Sequence, residues 1–102
     1  MDPLPGMPDR GTASVSVDGN NITVELKGMP EPNGAYELWL YNTLIGAHSL
    51  GTADSGNATI SAQLPADAKD FRYLDLSRES GPDDRVHSGI SIRRTALAPL
   101  LQ

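Results

Sequence analysis

The sequence contains no cysteine among its 102 residues. This absence excludes disulfide bonds, thiolate nucleophiles and cysteine-ligated metals, so packing alone must hold the domain together. Basic residues are also few, with 8 Lys and Arg against 13 Asp and Glu and a net charge of −5. Because nucleic acids and anionic membrane surfaces are bound by basic patches, this balance argues against both as partners.

Long apolar runs are missing as well. No stretch approaches the ~20 residues that a membrane-spanning helix needs, and the N-terminus lacks the basic start and apolar centre of a signal peptide. We therefore expect the chain as given to be soluble, with a single hydrophobic core. Aromatic residues make up only 5%, whereas 10 Gly and 8 Pro are typical of many short strands and turns.

Residues 1–11 hold three prolines and two glycines without periodicity, which is typical of a flexible leader or linker. From Thr12 onward, apolar and polar residues alternate, which predicts half-buried strands. Two such strands flank a turn at Gly19 and predict a hairpin. We expect a single domain over residues 12–95 and a tail over residues 96–102 that frays or packs along an edge.

The densest alternation, over residues 34–42, predicts the third and central strand. Further strands are predicted at 44–52, 58–64, 71–79 and 89–95, with a helical turn in 65–70 and a polar loop at 80–89. Turn signals every ~8–12 residues predict an all-β, two-sheet antiparallel sandwich of the immunoglobulin type with about seven strands. A small β-barrel is the alternative.

The central strand carries its leucines and its tryptophan on opposite faces. Leu38 and Leu40 share one face, and Glu37, Trp39 and Tyr41 share the other. Because the leucines belong in the core, the simplest register leaves Trp39 and Tyr41 at least partly exposed. The alternative register buries Trp39 and brings Glu37 toward the core, which is costly unless that carboxylate is paired.

If the third and sixth strands are neighbours, as in immunoglobulin-like sandwiches, their outer face combines aromatic with acidic side chains. Rigid aromatics with acidic neighbours favour an interaction surface. The alternative is that the tryptophan simply covers its own sheet. The predicted interaction surface consists of Trp39, Tyr41, Tyr73, Asp75, His87 and Ser88.

The other polar residues of the sixth and seventh strands are expected to be structural. Arg85, Arg93 or Arg94 can pair with Asp75 or Glu79 across these strands. We expect such ion pairs to be exposed and to contribute ~0.2 to 1 kcal/mol each, which fixes the register more than the stability.

No catalytic constellation is evident, so we predict a non-enzymatic domain with no cofactor and no metal. The alternative is a small cupredoxin-like module with a copper site at His48, His87 and Met29, but these residues lack ligand-like spacing. A hydrolase triad of Ser88, His87 and Asp75 is opposed by the lack of a Gly-x-Ser-x-Gly turn that presents a nucleophile.

Several sequence blocks stand out in a fixed order along the chain. They are YELWLY at 36–41, SLGT at 49–52, NATI at 57–60 with LP at 64–65, YLDLSRE at 73–79, and HSG at 87–89 with SIR at 91–93. Taken in this order, the blocks resemble the C-terminal, extracytoplasmic domain of the anti-sigma-K factor family. The resemblance runs from about Gly34 to Arg93, and its Tyr-x-Leu-Trp-Leu block is the most specific part. One departure is ESGPDDR at 79–85, where the family more often has Glu-Pro followed by a glycine pair or Asp-Gly.

The resemblance implies the sensory or regulatory half of a bacterial membrane-anchored anti-sigma factor, which regulates sigma-factor release and so transcription. In that family a cytoplasmic segment holds the sigma factor, a single helix crosses the membrane, and this domain lies outside. A protein partner or regulatory protease is implied, and no catalytic residue is carried over. Since the sigma-binding segment and the helix are missing, we expect an excised domain or a stand-alone relative.

Overall fold

The computed structural model describes residues 1–3, 10–32, 34–42, 46–79 and 90–101. Two short 3₁₀ helices, Ala68–Asp70 and Ala98–Leu101, lie within these residues. No helix in these ranges is long and apolar enough to cross a membrane. The strands are β1 (Asp2–Pro3), β2 (Thr12–Asp18), β3 (Asn21–Lys27), β4 (Ala35–Tyr41), β5 (Ala47–Ala53), β6 (Ala58–Gln63), β7 (Tyr73–Glu79) and β8 (Ile90–Ala96).

The strands form two antiparallel sheets. The larger sheet has five strands in the order β1-β8-β7-β4-β5, and the smaller has three in the order β2-β3-β6. Two separate sheets around one core make a sandwich rather than a closed barrel, which confirms the predicted fold class. Strand β4 lies between β7 and β5, so the third and sixth predicted strands are neighbours.

The predicted hairpin is formed by β2 and β3. Its register runs from Thr12 opposite Lys27 to Asp18 opposite Asn21. The connecting Gly19 has a φ of 62°, a left-handed conformation that glycine adopts without steric cost. In β3, buried and exposed side chains alternate, so this hairpin covers the core with one face only.

The core fills the space between the two sheets. The smaller sheet contributes Ile22, Val24 and Leu26 from its central strand β3. Burying each such side chain contributes about 1.5–3 kcal/mol. The larger sheet contributes four leucines that are fully buried, as the alternation predicts: Leu38, Leu40, Leu74 and Leu76.

The first strand pairs the start of the chain with its end. Asp2 lies opposite Arg94 of β8, and Pro3 lies opposite Arg93. The sequence predicts a flexible leader here, from its prolines and glycines and its lack of periodicity. A strand of two residues is too short to show alternation. Residues 4–9 lie outside the described residues, and the domain boundaries stay a prediction.

The C-terminal residues pack against the core. Leu97 is fully buried, and Leu100 and Leu101 lie partly buried against the same cluster. The backbone N–H of Leu97 donates to the carbonyl of Arg72 at 2.9 Å, which ties the end of β8 to the start of β7. The described part of the tail therefore belongs to the sandwich.

Candidate functional site

The larger sheet has a face that points away from the smaller sheet, which we call the outer face. Directly opposite residues of an antiparallel pair share a face, and the odd-numbered residues of β4 lie opposite those of β7. The predicted grouping of aromatic and acidic side chains on one face is therefore confirmed. These outer-face residues are Ala35, Glu37, Trp39 and Tyr41 of β4 with Tyr73, Asp75, Ser77 and Glu79 of β7.

Trp39 is fully buried on this face, so the partial exposure expected from the simplest register is wrong, and the structure agrees with the alternative in which the tryptophan covers its own sheet. Its indole Nε1 donates to Oγ of Ser77 at 2.9 Å, and that hydroxyl donates to a carboxylate oxygen of Glu79. Ser77 and Glu79 are buried as well. The indole N–H thus donates to an acceptor on the neighbouring strand. The simplest register had predicted that this group is exposed to solvent.

Glu37 follows neither of the two predicted registers. The leucines of β4 face the core, yet Glu37 is also buried, with 6% of its surface exposed on the outer face. Oγ of Ser49, on the neighbouring strand β5, donates to its carboxylate at 2.5 Å. A buried carboxylate needs hydrogen-bond donors, and this serine supplies one.

Asp75 is fully buried, and the cation that pairs with it is partly exposed. Nε of Arg94 lies 2.9 Å from Oδ1 of Asp75, and Oγ of Ser91 donates to Oδ2 at 2.8 Å. The predicted pairing across these strands is confirmed, but its predicted exposure is wrong. The Asp75 side chain is 0% exposed and that of Arg94 is 25% exposed, so breaking the pair costs more than breaking a surface ion pair.

Arg94 also lies over two tyrosine rings. Its guanidinium carbon is 4.6 Å from the centre of the Tyr41 ring and 5.2 Å from the centre of the Tyr73 ring. Both distances lie within the range of a cation–π interaction. The two tyrosines lie opposite each other on β4 and β7 and are partly exposed. We call Tyr41, Tyr73 and Arg94 the tyrosine–arginine cluster.

Sequence reasoning missed Arg94 as part of this surface, although it included Arg94 as an ion-pair candidate. The available signal was alternation in the seventh strand, which puts Arg93 and Arg94 on opposite faces. Alternation alone does not say which of the two joins the acidic face. The register of β7 with β8 decides it, because Arg94 lies opposite Asp75.

On the core face of β4, Tyr36 is buried and donates its hydroxyl proton to the carbonyl of Pro30. Burial raises the pKa of this phenol above the usual value of 10.0. The positive charge of Arg78 partly offsets this rise in pKa, and the negative charge of Glu31 adds to it. The positive charge of Arg93 also partly offsets it. The ionised form is therefore disfavoured in the folded state.

The remaining predicted site residues are not brought together by the described structure. His87 and Ser88 lie outside the described residues, so the copper site and the hydrolase triad that include them are not tested. His48 is exposed on β5, whereas Met29 is buried in the core. Within the described ranges, no group of three or more His, Asp or Glu side chains is placed to hold a metal ion.

One family model matches the chain over residues 2–89, and its description reads Anti-sigma-K factor rskA, C-terminal. The match begins well before residue 34, where the sequence resemblance begins, and it includes β1 to β7. Strand β8, which supplies Arg94, follows the matched residues. No curated protein and no solved structure matches the chain.

Proposed function

Because the chain belongs to the family of anti-sigma-K factor C-terminal domains, we propose that it is the sensory or interaction half of a membrane-anchored anti-sigma factor. Membership implies a role in sigma-factor regulation and a regulatory rather than enzymatic family. The proposal adds that the domain lies on the extracytoplasmic side of the bacterial membrane. There, contact with a protein partner or regulatory protease alters release of the sigma factor and so transcription.

The observation that carries the proposal is the tyrosine–arginine cluster. Tyrosine and arginine are enriched among the residues that dominate binding energy at protein interfaces. Tyr41 and Tyr73 are held side by side by strand pairing, and Arg94 is held by Asp75 below it and by both rings. A partner that contacts the cluster orders few side chains, so little conformational entropy opposes binding.

Two residues of the predicted interaction surface take a supporting role in this proposal. Trp39 and Asp75 are fully buried, so they hold the surface from below instead of touching the partner. Trp39 ties β4 to β7 through Ser77, and Asp75 fixes Arg94. His87 and Ser88 lie outside the described residues, and their part in the surface stays a prediction.

The surface is tested in the full-length parent protein with the double variant Tyr41→Ser, Tyr73→Ser. A reporter gene under a promoter of the cognate sigma factor measures release in living cells. We expect reporter activity to change, while the buried Trp39 keeps its fluorescence spectrum because the fold survives. The matched control is Thr59→Ala, Ser61→Ala, which alters two exposed residues on the smaller sheet.

A folded tyrosine double variant whose reporter activity equals that of the control and of the unaltered protein contradicts the surface assignment. An equal change in the control variant contradicts it too, because any surface change would then suffice.

The location is tested separately, using the lack of cysteine in the domain. Ser16→Cys places a thiol at an exposed position of β2. We expect a membrane-impermeant maleimide to label this variant in intact cells. The parent protein without the substitution is the control that measures background labelling. Labelling only after the cells are lysed would contradict the extracytoplasmic location and leave the surface assignment standing.

A further inference from the structure

We propose that the tyrosine–arginine cluster binds a proline-rich segment of the partner protein in the polyproline II conformation. Proline-rich segments bind proteins by docking onto aromatic side chains that line a groove. Their conformation is largely formed before binding, so docking costs little conformational entropy. The proposal rests on the proposed function, because it names the kind of partner that the same cluster fits.

The two tyrosines lie in the middle of a row that crosses four strands of the outer face. Tyr41 lies opposite Ala47 of β5 on one side and opposite Tyr73 of β7 on the other, and Tyr73 lies opposite Ala96 of β8. Directly opposed residues of antiparallel strands share a face. Because alanine side chains are short, the two rings stand higher than the residues on either side of them in this row.

The length of the row sets the length of the segment that fits it. Neighbouring strands lie about 4.8 Å apart, so a row across four strands spans roughly 14 Å. A polyproline II helix rises about 3.1 Å per residue, so about five residues cover the row. A pentapeptide is therefore long enough to contact both rings.

The charges around the cluster favour an uncharged segment. Arg94 is paired with Asp75, and Asp2 lies opposite Arg94 on the same face. Within the described residues, two carboxylates thus lie beside one guanidinium, which disfavours an acidic segment. The guanidinium carbon of Arg94 lies 4.6 and 5.2 Å from the centres of the two tyrosine rings. A second cation on these rings would be repelled by Arg94, which disfavours a basic segment.

The cluster presents hydrogen-bond donors to solvent. Nε of Arg94 donates to Asp75 at 2.9 Å and Nη2 donates to Ser91 at 3.5 Å. Within the described part of the chain, Nη1 of Arg94 and the hydroxyl of Tyr73 have no hydrogen-bond partner. Both atoms reach solvent, because the only buried side-chain atom without a partner among the described residues is Nε of Arg93. The carboxylate of Asp75, in contrast, is 0% exposed.

A ligand that matches this site has free acceptors and few donors. Proline has no backbone N–H, and a polyproline II helix makes no internal hydrogen bonds, so its carbonyls need donors from outside. An oligosaccharide is the other neutral ligand to consider, but its hydroxyls donate as well as accept. Since the carboxylate of the cluster is buried, the excess of donors favours the proline-rich segment.

The test is a titration of the isotope-labelled chain followed by NMR. The probe is acetylated and amidated pentaproline, and the matched peptide is a pentamer of alternating glycine and serine with the same neutral ends. We expect pentaproline to shift the backbone amide signals of Tyr41, Ala47, Tyr73 and Ala96. The glycine–serine peptide should bind at least about tenfold more weakly, because it is flexible and not preformed.

Two variants separate the ring of Tyr73 from its hydroxyl. Tyr73→Phe keeps the ring and removes the donor, so it should bind pentaproline at least about threefold more weakly than the unaltered chain. Tyr73→Ser removes the ring, and the loss should be larger still. The matched control is Ser61→Ala, which removes an exposed hydroxyl from the smaller sheet and should leave binding unchanged.

Four results would overturn the proposal. The first is unchanged amide signals for the row at millimolar pentaproline. The second is equal binding of pentaproline and the glycine–serine peptide. The third is equal binding of pentaproline by Tyr73→Phe and the unaltered chain. The fourth is tighter binding of the neutral hexasaccharide cellohexaose to the same row, which would make an oligosaccharide the occupant.

The reporter assay distinguishes failure of this proposal from failure of the proposed function. If the reporter responds to Tyr41→Ser, Tyr73→Ser but pentaproline does not bind, the interaction surface stands and only the proline-rich partner is wrong. If pentaproline binds but the reporter does not respond, the binding site stands and its regulatory role is wrong.

Discussion

The indole N–H of Trp39 donates a hydrogen bond to the hydroxyl of Ser77, 2.9 Å away across the β4–β7 pair. Both residues are fully buried, on the face of the larger sheet that points away from the core. The Ser77 hydroxyl in turn donates a hydrogen bond to the carboxylate of Glu79. The larger sheet is therefore buried on both faces at β4, with leucines on one side and a polar network on the other.

We expect Ser77→Ala to lower the free energy of unfolding by about 1–3 kcal/mol, because the substitution removes an acceptor from Trp39 and a donor from Glu79 in a buried site. Urea denaturation followed by Trp39 fluorescence measures the change. The exposed serine of β2 supplies the control, since Ser16→Ala should stay within about 0.5 kcal/mol. Equal midpoints for the two variants would show that the network contributes nothing to stability.

Leu40→Ala should lower the free energy of unfolding by about 2–5 kcal/mol, since it removes a fully buried side chain between the sheets. A domain of this size has a total stability of about 5–15 kcal/mol, so the variant is expected to be partly unfolded near its growth temperature. Leu38→Ala should behave in the same way. Thermal melting by circular dichroism tests both, with the exposed Thr59→Ala as control. Melting at the temperature of the control would contradict the core assignment of β4.

Arg94→Met should lower the free energy of unfolding by about 3 kcal/mol, because it takes the paired cation away from the buried carboxylate of Asp75. The double variant Asp75→Asn, Arg94→Met should lose less than the sum of the two single losses, since no charge then remains in the pair. Chemical unfolding of the four proteins gives the coupling energy directly. Additive losses within about 0.5 kcal/mol would mean that the pair is not a stabilising unit.

Tyr36 makes the fold sensitive to alkaline pH. Its pKa is raised in the folded state from the usual 10.0, chiefly by burial, so above pH 10 the unfolded chain loses this proton before the folded chain does. The stability that the neutral Tyr36 phenol contributes is fully present below pH 10.0. It is lost as the pH rises through the raised pKa of the folded state. Tyr36→Phe should therefore show a shallower fall in unfolding free energy above pH 10 than the unaltered chain in the same buffers. Parallel pH profiles would exclude this tyrosine as the cause.

Alternation was sufficient to predict most strands, since a half-buried strand has apolar residues on one face and polar residues on the other. Strands β2, β3 and β6 follow this pattern, and β4 and β7 are neighbours, as the comparison with immunoglobulin-like sandwiches suggested for the third and sixth strands. Strand β1 could not be predicted, because it has two residues, one of them proline. Its pairing depends on β8 at the far end of the chain.

The outer face was harder to predict than the core. The sequence places Trp39, Asp75 and Tyr41 on one face correctly, but alternation assigns one face of each strand to solvent. Whether that face is buried depends on partners that are distant in sequence, such as Ser77 for Trp39 and Arg94 for Asp75. The family resemblance, in contrast, depends on the side-chain pattern alone, and the family match confirmed it.

The neighbouring positions of β1 and β8 have a consequence for the order of folding. Residue 2 pairs with residue 94, so the larger sheet is completed only after nearly the whole chain has been synthesised. Pairings this distant in sequence require closure of a long loop, which slows folding. Until Ile90–Ala96 pairs with β7, one edge of β7 is unprotected and Asp75 lacks its ion pair with Arg94. A partly folded chain in which this strand has not yet paired is therefore most exposed to aggregation.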